Sequence, residues 1–313
     1  MPFDTQASRN LGSPGTATSV HSTLLSPQQQ HQIQLYTTPA ICPAFPPAND
    51  GHTDLVFVSS DNMAFYVNSA IILARSQNRW DSQVPYNPQP SLQGHAPYPP
   101  IRLTEGSDVL SVVLHTLHGR SCAHLEPSNH SLIASIHSLV KYGLHLRTYI
   151  AEGTPLFALL LDRARAAPLQ FYTLAAQYDL EALATPISAL LLTYDPSDIT
   201  DEYAVQMGPR YLRRLLMLPV MRMDMLKRLV LPPPPPHPPT DACGRDAQDA
   251  AAREWAYTAA MLVIGTGPAI TEITLDVQFR ALGRNMVCPL CIAALDARVH
   301  ELVQAWSRVK RTI

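Results

Sequence analysis

Two cysteines near the C-terminal end have the spacing of metal ligands. Cys288 and Cys291 enclose the run CPLC, and two thiolates at this spacing can both reach one zinc ion because the short turn points both sulfurs the same way. A zinc ribbon would contain a second such pair, which the sequence lacks. A redox pair would follow a thioredoxin-like strand, and no strand pattern precedes this one. A structural metal site is therefore one hypothesis, although the sequence favours free, half-buried thiols.

A third cysteine joins the pair if the helices between them fold back on each other. Helical patterns over 246–263 and 269–283 are separated by the turn GTGP. If these two helices form an antiparallel hairpin, Cys243 returns to the end where Cys288 lies. Three sulfur ligands would then meet at one place.

The fourth ligand of such a site stays open at this stage. His237 and Asp241 are the candidates, whereas His300 would lie ~13 Å further along the last helix at 1.5 Å per residue. Structural zinc is held by four protein ligands, and catalytic zinc leaves one position open. Cysteines 243, 288 and 291 therefore leave a zinc-dependent enzyme, or a zinc-stabilised regulatory protein, as the alternative function.

No other group of residues points to catalysis. His115 and His118 lie three apart, but no carboxylate or cysteine stands near them at ligand spacing. The run GTGPAI at 265–270 follows a helical pattern and lacks the third glycine of a dinucleotide loop. Asp201 and Glu202 suit a helix N-terminus. The sequence contains no P-loop, GxSxG or HExxH motif, so we predict that the protein is not an enzyme and has no cofactor.

Composition and charge exclude further classes of partner. Of the 313 residues, 46% are hydrophobic and only 15% are charged, so most of the chain is expected to fold. A net charge of −2 gives no reason to expect nucleic acid as a partner. The longest apolar run, LFALLL, is far shorter than the ~20 residues of a membrane helix, and the N-terminus has no secretory h-region. We expect an intracellular protein of the cytoplasm or nucleus, with no membrane contact.

The composition changes along the chain and predicts five segments. Residues 1–50 are rich in Ser, Thr, Pro and Gln and are predicted to be disordered. Residues 51–150 read as an α/β (α+β) domain with a proline-rich loop at 77–100. A mostly helical region follows at 151–230, then a proline-rich linker at 231–245 and a helical block at 246–313.

The segment 51–150 begins with the pattern of a β-hairpin. DLVFV and AFYV are predicted strands, and the polar run SSDN between them is the predicted turn. Asn68 and Ser69 then supply N-cap chemistry for a short helix. IRL reads as a further strand, Ser107 and Ser128 as caps of the next two helices, and Gly143 as a left-handed C-cap. In the helical region, Pro186 is expected to kink one helix and Pro209 to open another.

This series of elements resembles a BTB/POZ domain. Ser59, Ser60 and Asp61 match the family's hairpin turn, and Lys141 and Tyr142 in SLVKYGL match its A-x-KY-x-M helix. IRLTEGSDVLSVVLHTLHG resembles the strand and helix between them. The chain beyond it is similar to the long fungal BTB proteins, mostly from mushrooms. PLQFYTLAAQYDLEALA resembles their helix pair after the BTB domain, and CPLCIAALDARVHELVQAWSRVKRTI their C-terminal segment.

The resemblance implies a non-enzymatic protein that binds other proteins. Such domains dimerise or dock partners, as ubiquitin-ligase adaptors that bind a cullin scaffold or as transcription-linked scaffolds. The sequence departs from the family where His-Lys is replaced by Asn68 and Ser69, and where the proline-rich loop with Trp80 replaces the SPVF-x-x-M helix. The resemblance thus leaves a cullin scaffold as a possible partner, although some relatives bind a cullin through the region that is replaced here.

Four apolar residues are candidates for a dimer or partner interface. The resemblance implies a two-fold interface around the first helix, near Phe65, Tyr66, Ile71 and Ile72. Apolar residues beyond those a small core requires would be consistent with a homodimer. Packing inside the core explains the same four residues equally well, because periodicity does not say which faces are covered.

Overall fold

The structure, a computed structural model, describes residues 38–48, 53–85 and 99–313. Most of the predicted disordered head and residues 86–98 of the predicted proline-rich loop lie outside these ranges. The described residues combine one small sheet with many helices, which confirms the mixed α and β composition predicted from the sequence. Residues Ile41–Ile313 form one compact unit.

The sheet has four strands in the order β1-β3-β2-β4. The strands are β1 (Ala40–Ile41), β2 (Leu55–Val58), β3 (Met63–Val67) and β4 (Ile101–Arg102). Strands β2 and β3 form the predicted antiparallel hairpin, with Phe57 opposite Phe65. Strand β4 returns parallel to β2, with Ile101 opposite Phe57. Asn62 takes a left-handed conformation in the hairpin turn, with φ of 63°, as this residue type tolerates.

Four α-helices lie in the described residues of this first part of the chain, one before β4 and three after it. They are α1 (Ser69–Arg75), α2 (Ser107–Leu117), α3 (Asn129–Lys141) and α4 (Leu146–Tyr149). Asn68 and Ser128 cap α1 and α3 through their side chains, as predicted, and Gly143 has the predicted left-handed φ of 69°. The predicted cap at Ser107 is wrong. Gly106 occupies the cap position, and the amide and hydroxyl of Ser107 donate to Asp61 instead.

The rest of the chain is helical. Its helices are α5 (Pro155–Ala164), α6 (Pro168–Gln177), α7 (Glu181–Ser188), α8 (Asp201–Val230), α9 (Arg245–Gly265), α10 (Glu272–Arg280) and α11 (Pro289–Ser307). Gly208 interrupts α8 with φ of 69°, so Pro209 begins its second part. None of the described helices is long and apolar enough to cross a bilayer.

Helix α8 connects two hydrophobic cores. Residues up to Leu215 pack in a first core with the sheet and helices α1–α7. Leu226 and Val230, near the end of α8, pack in a second core with Trp255 and Trp306. Different parts of the same helix therefore pack in the two cores.

Buried polar groups of the second core hold the end of α8. The indole N–H of Trp255 donates to the carbonyl of Val230 at 2.8 Å. The guanidinium of Arg298 donates to Leu229 at 2.5 Å and to Pro232 at 3.0 Å. The last carbonyls of a helix lack partners within it, and a cation there also complements the helix dipole. The same contacts fix the point at which the proline run begins.

Trp80 lies at the centre of an aromatic stack in the first core. Its ring stacks on Phe57 with centroids 5.0 Å apart and on Tyr142 with centroids 4.2 Å apart. No part of the Trp80 side chain is exposed. Residues 79–82 all have φ between 55° and 64°, a left-handed turn that is costly for residues other than glycine. Burial of the indole offsets this cost.

Replacing Trp80 by alanine is expected to lower the free energy of unfolding by about 3–5 kcal/mol, because the substitution leaves a cavity between two aromatic rings. Urea unfolding followed by circular dichroism measures the loss. Trp80→Phe is expected to cost much less, since the indole N–H of Trp80 has no hydrogen-bond partner within the described ranges. A loss below about 1 kcal/mol in Trp80→Ala would show that the stack does not stabilise the fold.

Candidate functional site

Four side chains with metal-ligand atoms converge beside the second core. These atoms belong to His237, Cys243, Cys288 and Cys291, and all lie within 4.8 Å of one another. The Nε2 atom of His237 is 3.3 Å from Sγ of Cys291 and 3.4 Å from Sγ of Cys288. The sulfurs of Cys243 and Cys291 are 3.7 Å apart. The structure thus brings together the three cysteines singled out in the sequence and one of the two candidates for a fourth ligand.

A tight turn presents Cys243 to the cluster. The amides and carbonyls of Thr240 and Cys243 exchange two hydrogen bonds of 3.0 Å. Gly244 then begins α9 as its N-cap. The thiol is buried, so the turn turns the side chain inward immediately before the helix starts.

The first turn of α11 presents the other two cysteines. Cys288 is the N-cap and Pro289 the first helical residue, a position that suits proline. Amide hydrogens of Cys291 and Leu290 point at the Cys288 sulfur and lower the pKa of its thiol to about 7. Burial, together with the two neighbouring sulfurs, raises the pKa of Cys291 to about 12.

His237 enters the cluster from the proline run. Its Nδ1 atom lies 2.8 Å from the carbonyl oxygen of Pro238. A carbonyl only accepts, so Nδ1 carries the proton and Nε2 turns its lone pair toward the sulfurs. Asp241 is exposed and does not belong to the cluster, and neither does His300 on α11.

Residues of the predicted hairpin-turn motif form a hydrogen-bonded junction. The carboxylate of Asp61 accepts from the hydroxyl of Ser59 at 2.5 Å and from the amide and hydroxyl of Ser107 at 2.9 and 2.5 Å. Burial raises the pKa of Asp61, but the hydrogen bonds from Ser107 and Ser59 outweigh it and hold the pKa below its usual value. The junction ties the hairpin turn to the start of α2.

A second junction forms around Glu105 and includes the other motif residues. The carboxylate accepts from Lys141 at 2.7 Å and from the hydroxyl of Tyr142, while its backbone carbonyl accepts from the amide of Ser60 at 2.9 Å. Burial raises the pKa of Glu105, but the Lys141 and Tyr142 hydrogen bonds outweigh it and lower the pKa overall. The hairpin, the loop after β4 and the end of α3 are thereby joined.

The four candidate interface residues separate into two pairs. Phe65 and Ile72 are completely buried in the first core and have no surface to offer a partner. Tyr66 and Ile71 are partly exposed. The interface prediction therefore narrows to Tyr66 and Ile71.

The remaining sequence candidates have ordinary structural roles. His115 and His118 place Nδ1 2.7 and 2.8 Å from backbone carbonyls of their own helix. Burial lowers the pKa of both imidazoles, which keeps them neutral. Neither belongs to the ligand cluster found in the described residues. The run GTGPAI forms the connection between α9 and α10.

Comparison of the chain with protein-family models, with curated proteins and with solved structures gives no match.

Glu105→Gln is expected to lower the free energy of unfolding at pH 7 by about 1–3 kcal/mol, because a charged acceptor for Lys141 and Tyr142 is lost. The folded-state pKa of Glu105 lies below its unfolded value near 4.5. Its contribution is therefore fully present above that pH and is lost as the pH falls further. The difference from wild type should shrink between pH 7 and about pH 3.5 in urea unfolding.

The matched control is Glu152→Gln, since Glu152 is exposed. This variant should change stability little at either pH. A difference for Glu105→Gln that stays constant across the pH range would contradict the assignment of an ionised carboxylate at the junction.

Proposed function

We propose that the protein is a non-enzymatic protein–protein interaction module that forms a homodimer. Residues 51–150 act as a BTB/POZ-like domain in this proposal. The helical residues after 150 extend the surface that the dimer offers to other proteins.

The observation that carries this proposal is the pair of junctions around Asp61 and Glu105. Residues that resemble the BTB/POZ motifs form direct hydrogen bonds with partners 36 to 46 positions away in the chain. The order of hairpin, helix, parallel strand and helix pair also agrees with the resemblance. A fortuitous set of short motif matches would have no reason to converge.

The same junctions support a structural role rather than a catalytic one. Both carboxylates accept hydrogen bonds from amide, hydroxyl or ammonium donors of the chain itself. A general base needs a lone pair directed at the substrate. The carboxylates of Asp61 and Glu105 instead accept hydrogen bonds from side chains and amides of the protein itself. Motif residues that serve architecture suit a domain whose function is to present a surface.

The surface proposed for the dimer surrounds Tyr66 and Ile71. Both are apolar side chains only partly covered by the chain's own core. Tyr66 packs beside Val56, Val58 and Ala64, whereas Ile71 packs against the first core. A two-fold interface repeats the same surface on both chains, so each chain would contribute both residues.

A cullin is not included among the proposed partners. The resemblance places cullin contacts in the segment that the proline-rich loop replaces. The described start of that loop directs Trp80 and Val84 into the core, where neither is exposed. Those side chains have no surface with which to contact a cullin.

Sedimentation equilibrium of the full chain is expected to give twice the 34.4 kDa mass of one chain. Ile71→Asp and Tyr66→Asp should weaken the dimer by at least about tenfold, because each places a charge in the apolar contact. The charge change alone is controlled by Val205→Asp on α8, whose valine is 81% exposed and lies outside the BTB/POZ-like domain.

The control variant should keep the dimer mass. A wild-type chain that is monomeric at about 100 μM, a concentration at which even weak specific dimers form, would refute the dimer. A dimer that persists in both aspartate variants would show that Tyr66 and Ile71 do not lie in its interface.

A further inference from the structure

The cluster beside the second core has the composition of a structural zinc site. We propose that His237, Cys243, Cys288 and Cys291 bind one Zn²⁺ ion with tetrahedral geometry, and that the ion fastens the proline run to the first turn of α11. Three thiolates and one imidazole are a common ligand set for structural zinc. This proposal does not depend on the proposed dimer.

The distances between ligand atoms fit a tetrahedral ion. With Zn–S bonds of about 2.3 Å and a Zn–N bond of about 2.0 Å, the sulfurs of a regular tetrahedron lie about 3.8 Å apart, and sulfur and nitrogen about 3.5 Å. The sulfurs of Cys243 and Cys291 are 3.7 Å apart. The Nε2 atom of His237 lies 3.3 Å from the Cys291 sulfur and 3.4 Å from the Cys288 sulfur. Three of the six separations therefore match a tetrahedral ion, and the other three are no longer than 4.8 Å.

A disulfide does not explain the cluster. Bonded sulfurs lie about 2.05 Å apart, whereas the sulfurs of Cys243 and Cys291 are 3.7 Å apart and all three cysteines are free. One disulfide would also leave the third thiol and the histidine without a reason to converge. A shared cation accounts for all four residues at once.

The local backbone around each ligand orients its side chain. The Nδ1 hydrogen bond of His237 to Pro238 fixes the ring and frees Nε2, as outer contacts do for metal-bound histidines. The turn at Thr240 orients Cys243, and the helix start orients Cys288 and Cys291. Preset orientation of this kind is what a specific metal site requires.

The ion would hold a segment that secondary structure cannot hold. Prolines lack the amide hydrogen that helices and sheets use. The first proline of the run is fixed by Arg298 through the carbonyl of Pro232. His237, at the other end, is the residue through which zinc would attach the run to α11.

Four protein ligands also define the type of site. A catalytic zinc keeps a position for water or substrate, whereas a structural zinc is fully coordinated by the protein. His237 fills the position that three cysteines alone would leave open. The inferred site is therefore structural and does not support a zinc-dependent enzyme.

Elemental analysis of the full chain, purified under reducing conditions without added metal, is expected to give about one zinc per chain. Cys243→Ser, Cys288→Ser, Cys291→Ser and His237→Ala should each lower this content several-fold. His300→Ala is the matched control, because His300 is an exposed histidine of α11 outside the cluster, and it should retain full zinc. Equal zinc in this control and the four ligand variants would overturn the proposal.

A second measurement uses the unaltered chain and so does not depend on how the variants fold. Iodoacetamide is added with and without a strong zinc chelator, and labelled cysteines are mapped by mass spectrometry. Cys288 and Cys291 are only half-buried, so they should be protected by zinc and become labelled at least tenfold faster with chelator. Rapid labelling without chelator, or an intact mass showing a disulfide, would overturn the proposal.

Discussion

The proline run between α8 and α9 imposes a constraint that the C-terminal block must satisfy. Seven of the eight residues at 232–239 are prolines, so their backbone offers almost no amide hydrogens to a helix or sheet. Such a segment can be held only through its carbonyls, its packing and its ends. Arg298 and Trp255 fix the end of α8, where the run begins, and the zinc ion proposed at His237 would fix the point from which the run leads into α9.

This arrangement links the two cores through α8. Its end is held by the second core, while Tyr211 and Leu215 pack in the first. The buried guanidinium of Arg222, between them, donates to the carbonyls of Pro268, Val309 and Lys310 and lies over the Trp306 ring. The tail after α11 is thereby held against α8, and the amide of Ile313 donates to Ser188 at 3.0 Å. A zinc ion that attaches the proline run to α11 would thus be linked, through α8 and the C-terminal tail, to the helices of both cores.

Local patterns in the sequence predicted local structure well. The hairpin, the caps at Asn68 and Ser128 and the left-handed Gly143 all depend on chemistry within a few residues. The convergence of three cysteines followed from the helix patterns between them, because a helical hairpin brings its two ends together. The sequence left His237 and Asp241 as equal alternatives, since the path of a proline run has no periodicity from which to choose.

Other long-range contacts could not be predicted. Trp80 stands in a segment without a secondary-structure pattern, and only the fold places it between two aromatic rings. Arg222 and Arg298 interrupt apolar faces, yet they are buried because they satisfy backbone carbonyls from distant segments. Ser107 looked like a helix cap, but its donors serve Asp61, forty-six residues earlier. In each case, the partner is too far along the chain for a local rule.

The most direct test of the proposed zinc site is X-ray absorption at the zinc edge of the purified chain. The account predicts three sulfur neighbours at about 2.3 Å and one nitrogen at about 2.0 Å, with the nitrogen showing the outer-shell scattering of an imidazole. A first shell that contains water oxygen, or only two sulfurs, would contradict a closed site made by His237 and the three cysteines. Such a result would also remove the evidence that the proline run is attached to α11 through His237.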